Sequence, residues 1–298
     1  MYNQIVANKR KTFFLIIIFL AVIFGLAWAL AGVYGVEYYA FFPIAIIISI
    51  IMTLTSYFTG DKVALSMSGA HGPISKEENP YVYRLVANLC ITAGLPMPKV
   101  YLIESPAINA FAAGRNPQHA SIAITRGAIE KLQNEELEGV IAHELSHIKN
   151  YDILVMTIVI VLVGVITIIT DIFFRSRFYG HRSSGRSNSR AGGALMIIGL
   201  VLIILAPIIA QLIKLAVSRK REFLADASGS LLTRYPEGLA RALEKIGSDT
   251  DRLEKVSEAT AHLFIANPLS GKFMGKLFST HPPIEERVKI LRQMGNQR

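Results

Sequence analysis

Four long apolar segments divide the chain, and polar stretches separate them. The segments comprise residues 13–33, 38–58, 153–170 and 193–217. Each reaches or approaches the roughly 20 residues that a helix needs to cross a bilayer. The first segment could instead be a cleaved signal peptide, but it is long, it lacks a small-residue cleavage site, and a second apolar segment follows after a very short link. The pattern therefore predicts two transmembrane hairpins, about four helices in all.

Basic residues at the ends of these segments predict their orientation. Lys9, Arg10 and Lys11 precede the first segment, whereas the link YGVE between the first two segments carries no Lys or Arg. Because positively charged flanks stay in the cytoplasm, both ends of the first hairpin are predicted there. Basic residues before the third segment and around the end of the fourth agree with this orientation: Lys149, Lys214, Arg219, Lys220 and Arg221.

The loop 175–190 opposes this orientation. It joins the third and fourth segments, carries five arginines, and would lie outside the cell if both segments span the membrane. Two interpretations stay open: the arginines contact lipid head groups, or the 153–217 hairpin does not fully span. The uncharged apolar run 153–170 favours a spanning hairpin.

The composition agrees with a membrane protein. Hydrophobic residues make up 52% of the 298 residues, too many for an ordinary soluble domain of this size. The net charge of +9 could indicate nucleic-acid binding, but the basic residues cluster beside apolar segments and no nucleic-acid motif occurs. The single cysteine, Cys90, excludes an intramolecular disulfide and is expected to be a small core residue. We therefore expect a lipid bilayer, and no nucleic acid, as a partner.

The stretch EELEGVIAHELSHIKNYD contains half of a metal site. Residues four apart share one face of a helix, so His143 and His147 can bind one ion. Glu144 is beside the first of them, where it can take a proton from water and deliver it to a leaving amine. This HExxH pattern is typical of zinc metalloproteases, although a bare match also occurs on solvated helices. Asn134 is the expected N-cap of this helix.

The third ligand must come from another part of the chain, because catalytic zinc usually has three protein ligands and one open position. The longer metzincin pattern would need a glycine and a histidine where the chain has Asn150 and Ile153. SRKREFLADASGS offers Glu222 as a ligand and Asp226 as an acceptor for a ligand histidine, although two acids in a basic helix are also typical of a solvated face. Both halves of the site lie roughly 8–9 Å beyond the apolar edge of the 153–217 hairpin. The hairpin is therefore predicted to bring them together, just above the cytoplasmic membrane surface.

Four motifs that occur together resemble the M48 peptidases. They are NAFAAGRNPQHASIAITRGAIEKL, VIAHELSHIKNYD, SRKREFLADASG and STHPPIEERV. Within this family, the chain looks like the membrane-bound heat-shock proteases of bacteria, and the likeness covers nearly the whole sequence. The resemblance implies a gluzincin-type zinc endopeptidase with one Zn²⁺ per subunit, which cleaves misfolded or damaged membrane proteins.

The resemblance also implies roles for individual residues. The ligands are His143, His147 and Glu222, the general base is Glu144, and Asp226 holds a ligand histidine.

Candidates in other motifs are Asn109, His281 and Arg287. The resemblance implies that they are donors to the charge that builds on the carbonyl oxygen, or, for Asn109, a contact to the substrate backbone. Spacing alone also allows His281 to cap a helix that begins near Pro283, and Arg287 to pair with a neighbouring glutamate of that helix.

The stretch HASIAIT has the alternation of a β-strand. In this type of protease, the strand before the zinc helix is a sheet edge to which an extended substrate adds. We therefore expect substrate contacts from four of its residues, with an ordinary core strand as the alternative: Ser121, Ile122, Ala123 and Ile124.

The expected organisation is a protease domain interrupted by a membrane hairpin. Residues 1–58 form the first hairpin, 59–152 the first half of the protease, 153–217 the second hairpin, and 218–298 the second half. We expect an α+β, mostly helical domain on the cytoplasmic face of the bacterial cytoplasmic membrane.

Three other functions fit the sequence less well. An intramembrane protease would have HExxH inside an apolar span, whereas acidic residues precede it here. A non-catalytic membrane chaperone would be expected to lack Glu144 or a ligand, but this chain has all of them. A zinc carrier would need polar groups within its spans, and these spans hold almost none.

Overall fold

The computed structural model describes residues 2–34, 38–160, 162, 219–253, 260–266 and 282–296. Its helices are α1 (Tyr2–Tyr34), α2 (Tyr38–Met67), α3 (Pro80–Ala93), α4 (Arg126–Lys131), α5 (Asn134–Lys149), α6 (Arg219–Thr233), α7 (Pro236–Ser248) and α8 (Ile284–Gly295). Its strands are β1 (Ala70–His71), β2 (Lys99–Ile103), β3 (Ala110–Asn116) and β4 (His119–Thr125). A further helix covers residues 152–160, and a 3₁₀ turn covers Ala261–Leu263. The predicted α+β, mostly helical class is confirmed.

The four strands form one mixed sheet in the order β1-β2-β4-β3. β4 pairs in parallel with β2 and antiparallel with β3. The prediction that HASIAIT is a sheet edge was therefore wrong, because both sides of β4 already carry ladder hydrogen bonds. The four predicted substrate contacts all lie on this interior strand: Ser121, Ile122, Ala123 and Ile124. Among the described strands, the edge strand that contacts α5 is β3.

The sheet separates two apolar clusters. Ile122 and Ile124 of β4 pack with α3, α5 and α7 on one face, and Cys90 is a core residue there, as expected. Phe111 and Ala123 face the other cluster, which includes Leu15 and Phe19 of α1, Leu65 of α2 and part of the 152–160 helix. Three helices that contain all or part of a predicted membrane segment thus pack against this face of the sheet.

The transmembrane predictions stay predictions. Among the residues that the structure describes, no helix combines the length and apolar content that crossing a membrane requires. Only residues 153–160 and 162 of the third apolar segment are described, whereas the fourth segment and the loop 175–190 lie outside the described residues. α2 continues to Met67, past the boundary predicted at residue 58.

Helix α5 begins one residue away from where the sequence predicts its cap. Gln133 is the N-cap residue, and its backbone N–H donates to the Glu136 carboxylate over 2.8 Å. Asn134 is instead the first helical residue, and its side chain accepts a hydrogen bond from the Tyr81 hydroxyl. The acidic first turn still lies where the helix dipole favours negative charge.

Candidate metal centre

His143 and His147 lie on one face of α5, and α6 brings Glu222 against them. Their ligand atoms all lie within 4.8 Å of one another, and the three side chains are buried. Gly229 of α6 permits this close approach, since a Cβ atom there would lie 3.0 Å from the backbone nitrogen of His143. The structure thus brings together the three ligands that the sequence predicts.

The distances between these atoms fit a tetrahedral ion. Nε2 of His143 and Nε2 of His147 are 3.1 Å apart. Oε2 of Glu222 lies 3.8 Å from Nε2 of His143, and Oε1 of Glu222 lies 3.6 Å from Nε2 of His147. Ligands that bind Zn²⁺ at about 2.0–2.1 Å in tetrahedral geometry stand roughly 3.3–3.4 Å from one another. Two imidazoles and one carboxylate in this arrangement therefore suit a catalytic zinc ion.

A carboxylate lies behind each histidine. Oδ1 of Asp226 is 2.9 Å from Nδ1 of His143, although the alignment is not that of a good hydrogen bond. Oδ2 of Asp152 is 3.0 Å from Nδ1 of His147. Such carboxylates favour the tautomer with hydrogen on Nδ1, which leaves the Nε2 lone pair free for a metal. The structure places Asp226 as the sequence predicts, whereas sequence reasoning missed Asp152 in this role.

Arg287 of α8 binds Asp226, the carboxylate beside His143. Its Nε and Nη2 donate to the two Asp226 oxygens over 2.8 and 2.7 Å, and its Nη1 donates to the Ile265 carbonyl over 3.1 Å. Nη1 is also 3.9 Å from Oε2 of Glu222. Burial alone would raise the pKa of Asp226, but the Arg287 charge and hydrogen bonds outweigh it and lower the pKa to about 2.

The contacts of Arg287 differ from the pair with a neighbouring glutamate that the spacing allowed, and they leave the predicted donor role untested. The sequence allowed a pair with a neighbouring glutamate, and the resemblance implied a donor to the reacting carbonyl. In the structure the guanidinium is buried against Asp226, a residue of another helix. This arrangement favours a role in holding the carboxylate that faces His143.

Glu144 lies at the junction of α5 and the edge strand. Burial raises its pKa to about 8, and the charge of Glu222 contributes in the same direction. His147 and a hydrogen bond from the Ala112 backbone act against this shift. A carboxylate whose pKa lies near neutrality suits a group that must both accept and release a proton.

The surroundings of His147 raise the pKa of its imidazole. Burial lowers its pKa, but the hydrogen bond to Asp152 and the charges of Glu222 and Glu144 outweigh burial and raise the pKa to about 9. A metal ion must therefore displace a proton from this imidazole.

Two further candidates stay untested as catalytic residues. The side chain of Asn109 joins the start of β3 to the segment 260–266: its Nδ2 donates to the Ala266 carbonyl over 3.1 Å, and its Oδ1 accepts from the Ala110 backbone. His281 lies outside the described residues.

Comparisons with known proteins find similarity over nearly the whole of this chain. Residues 76–295 match peptidase family M48. The protease HtpX homolog of Dictyoglomus turgidum is 44% identical over 300 residues, which cover 99% of this chain and 95% of that protein. The HtpX homolog of Tropheryma whipplei strain TW08/27 is 44% identical over 299 residues, which cover 100% of this chain and 99% of that protein. Among solved structures, S. mikatae Ste24p is similar over 98% of this chain and 67% of its own, with a TM-score of 0.49 and 18% identity.

Proposed function

The chain belongs to peptidase family M48 and is a metalloprotease, and on this premise we propose that it is a Zn²⁺-dependent endopeptidase of the bacterial cytoplasmic membrane. Its proposed substrates are misfolded or damaged membrane proteins, which it cleaves on the cytoplasmic side as part of a stress response. The convergence of His143, His147 and Glu222 beside Glu144 is the observation that supports this proposal best.

The proposed cofactor is one Zn²⁺ per chain, held by His143, His147 and Glu222. A bound zinc ion supplies Lewis-acid chemistry, which polarises a peptide carbonyl and makes water more acidic. Asp226 and Asp152 orient the two imidazoles through their Nδ1 atoms, and Arg287 neutralises the charge of Asp226.

Glu144 transfers the proton in this proposal. Its carboxylate takes a proton from the attacking water as the water oxygen bonds to the peptide carbon. It then delivers that proton to the amide nitrogen as the C–N bond breaks, so that the products are a carboxylic acid and an amine. Its burial excludes bulk water, which would otherwise compete for this proton.

The proposed place of the substrate is the outer edge of β3. The Ala112 N–H of this strand points towards the Glu144 carboxylate. An extended peptide that adds to this edge would present its backbone beside the general base. Peptides with N-methyl groups at the amides flanking the scissile bond should be cleaved poorly, because they lose strand hydrogen bonds. Cleavage at the rate of the unmethylated peptide would contradict pairing at this edge.

The proposed membrane location is supported by exposed apolar side chains on α1 and α2. Each of nine such side chains is at least 40% exposed, which is unusual for a surface that faces water. They are Phe13, Phe14, Ile17, Ile18, Ile47, Ile50, Ile51, Leu54 and Phe58. The basic flanks of the apolar segments support a catalytic domain on the cytoplasmic side.

Cleavage of an unfolded protein tests the proposed reaction. Glu144→Gln in the full chain should keep Zn²⁺ but cleave casein roughly 10²–10⁴-fold more slowly, because an amide cannot accept the proton. Glu135→Gln is the matched control, since Glu135 is exposed on the same helix, and it should cleave at the wild-type rate. Near-normal turnover by Glu144→Gln would refute this mechanism.

Labelling in intact cells tests the topology. Ser184→Cys lies in the loop 175–190 and should react with an impermeant thiol reagent if the 153–217 hairpin spans the membrane. Ser75→Cys, in the part proposed to be cytoplasmic, should react only after lysis. Labelling of Ser184→Cys only after lysis would contradict an outside loop.

A further inference from the structure

The N-terminal helix reaches the back of the metal centre through Asn8. This polar side chain is 1% exposed, and it lies five residues before the first apolar segment. Its Nδ2 donates to Oδ1 of Asp152 over 2.7 Å and to the Asn150 carbonyl over 2.9 Å. Both partners are acceptors, so the amide nitrogen of Asn8, which carries two hydrogens, must face them.

Asp152 links Asn8 to a metal ligand. One oxygen of its carboxylate faces Nδ1 of His147, and the other accepts from Asn8 and from Nη1 of Arg221 at 3.1 Å. Because both oxygens have partners, the carboxylate cannot rotate without losing a hydrogen bond. The orientation of the His147 ring therefore depends on the donors that hold Asp152.

The same part of α1 covers the turn that places Asp152. Helix α5 ends at Lys149, and Tyr151 then has a φ of 60°, a left-handed conformation that costs a non-glycine residue roughly 1–2 kcal/mol. Asn8 donates to the Asn150 carbonyl at this turn. The ammonium of Lys9 lies 4.8 Å from the centre of the Tyr151 ring. α1 thus holds the reversal that puts Asp152 behind His147.

We propose that Asn8 is a positioning residue for the metal ligand His147, and that α1 is a structural part of the metal centre as well as a membrane anchor. This inference rests on the proposed zinc site. It predicts that a substitution of Asn8, 135 or more residues before the HExxH motif, weakens metal binding although no ligand is altered.

Zn²⁺ release tests this role. Purified full-length protein in detergent is loaded with Zn²⁺, and transfer of the ion to a chromogenic chelator is followed. Asn8→Ala should release Zn²⁺ about 10-fold faster, since the loss of partners that orient a ligand typically weakens metal binding about 10–100-fold. Thr12→Val is the matched control: Thr12 is buried one turn further along α1, and its hydroxyl donates to the Asn8 carbonyl within the helix. It should release Zn²⁺ at the wild-type rate.

A double-mutant cycle separates positioning from general packing. In an Asp152→Ala background, Asn8→Ala should cause no further acceleration, because Asn8 acts through Asp152. The visible spectrum of the Co²⁺-substituted protein should also change in Asn8→Ala and stay the same in Thr12→Val.

Either of two results would overturn the inference. They are a wild-type release rate in Asn8→Ala, or an effect of the same size with and without Asp152. If Asn8→Ala does not fold, Asn8→Ser gives the same comparison, because its hydroxyl is too short to reach Asp152. A wild-type protein that binds no Zn²⁺ would refute the proposed function itself, whereas tight binding by both wild type and Asn8→Ala would refute only the positioning role.

Discussion

Replacing Arg287 with methionine removes the positive charge behind the metal centre at nearly constant volume. The guanidinium is 1% exposed and donates both Nε and Nη2 to Asp226. In Arg287→Met, the buried Asp226 carboxylate faces His143 without a cation. We expect this variant to be strongly destabilised, because it leaves a buried charge without its partner.

The size of the effect follows from the burial of both partners. Removing one member of a buried ion pair costs about 3–5 kcal/mol. At about 2 °C per kcal/mol for a chain of about 300 residues, Tm should fall by roughly 6–10 °C. The loss should depend on pH. In the wild type, the lowered pKa of Asp226 contributes stability above about pH 4 that disappears as the pH falls through about 2. The difference between variant and wild type should therefore shrink in acid.

The assay is thermal unfolding of the full chain in detergent, with and without Zn²⁺. Arg292→Met is the matched control on the same helix, because Arg292 forms exposed ion pairs with Glu237 and Glu244, which solvent screens and which therefore contribute little to stability. A Tm loss in Arg287→Met no larger than in Arg292→Met would refute the reasoning. If Arg287→Met instead keeps its Tm and its Zn²⁺ and loses only kcat, Arg287 is the transition-state donor that the family resemblance implies.

Two further predictions concern metal binding. Glu222→Ala should lose Zn²⁺ and casein cleavage together, because only two protein ligands remain; stoichiometric, tight Zn²⁺ in that variant by metal analysis would move the third ligand elsewhere. The apparent Zn²⁺ affinity should rise about tenfold per pH unit between pH 6.5 and 8.5 and level off above about pH 9, since the raised pKa of His147 keeps the metal-free imidazole protonated below that value. Chelator competition measures this dependence, and an affinity that does not change with pH would contradict the assignment.

The structure differs most from the sequence predictions in the order of the strands and in the side chains that surround the candidate metal ligands. HASIAIT has the alternation of a β-strand, but the parallel pairing of β2 with β4 places β4 inside the sheet and β3 at its edge. Likewise, Asp152 lies only five residues after His147, yet its position behind the ring depends on the left-handed turn at Tyr151 and on Asn8 of a distant helix. Arg287 also finds its partner on another helix.

The sequence by itself predicted the three candidate metal ligands and the class of reaction. Residues three or four apart on a helix share a face, so HExxH places His147 beside both His143 and Glu144 wherever that helix lies. The pair Glu222 and Asp226 follows the same local rule. Only the tertiary structure decided which strand is the edge, which carboxylate holds which histidine, and that Asn8 reaches the site. Those contacts join segments far apart in the chain, and they depend on the packing of whole helices and strands, which local periodicity does not encode.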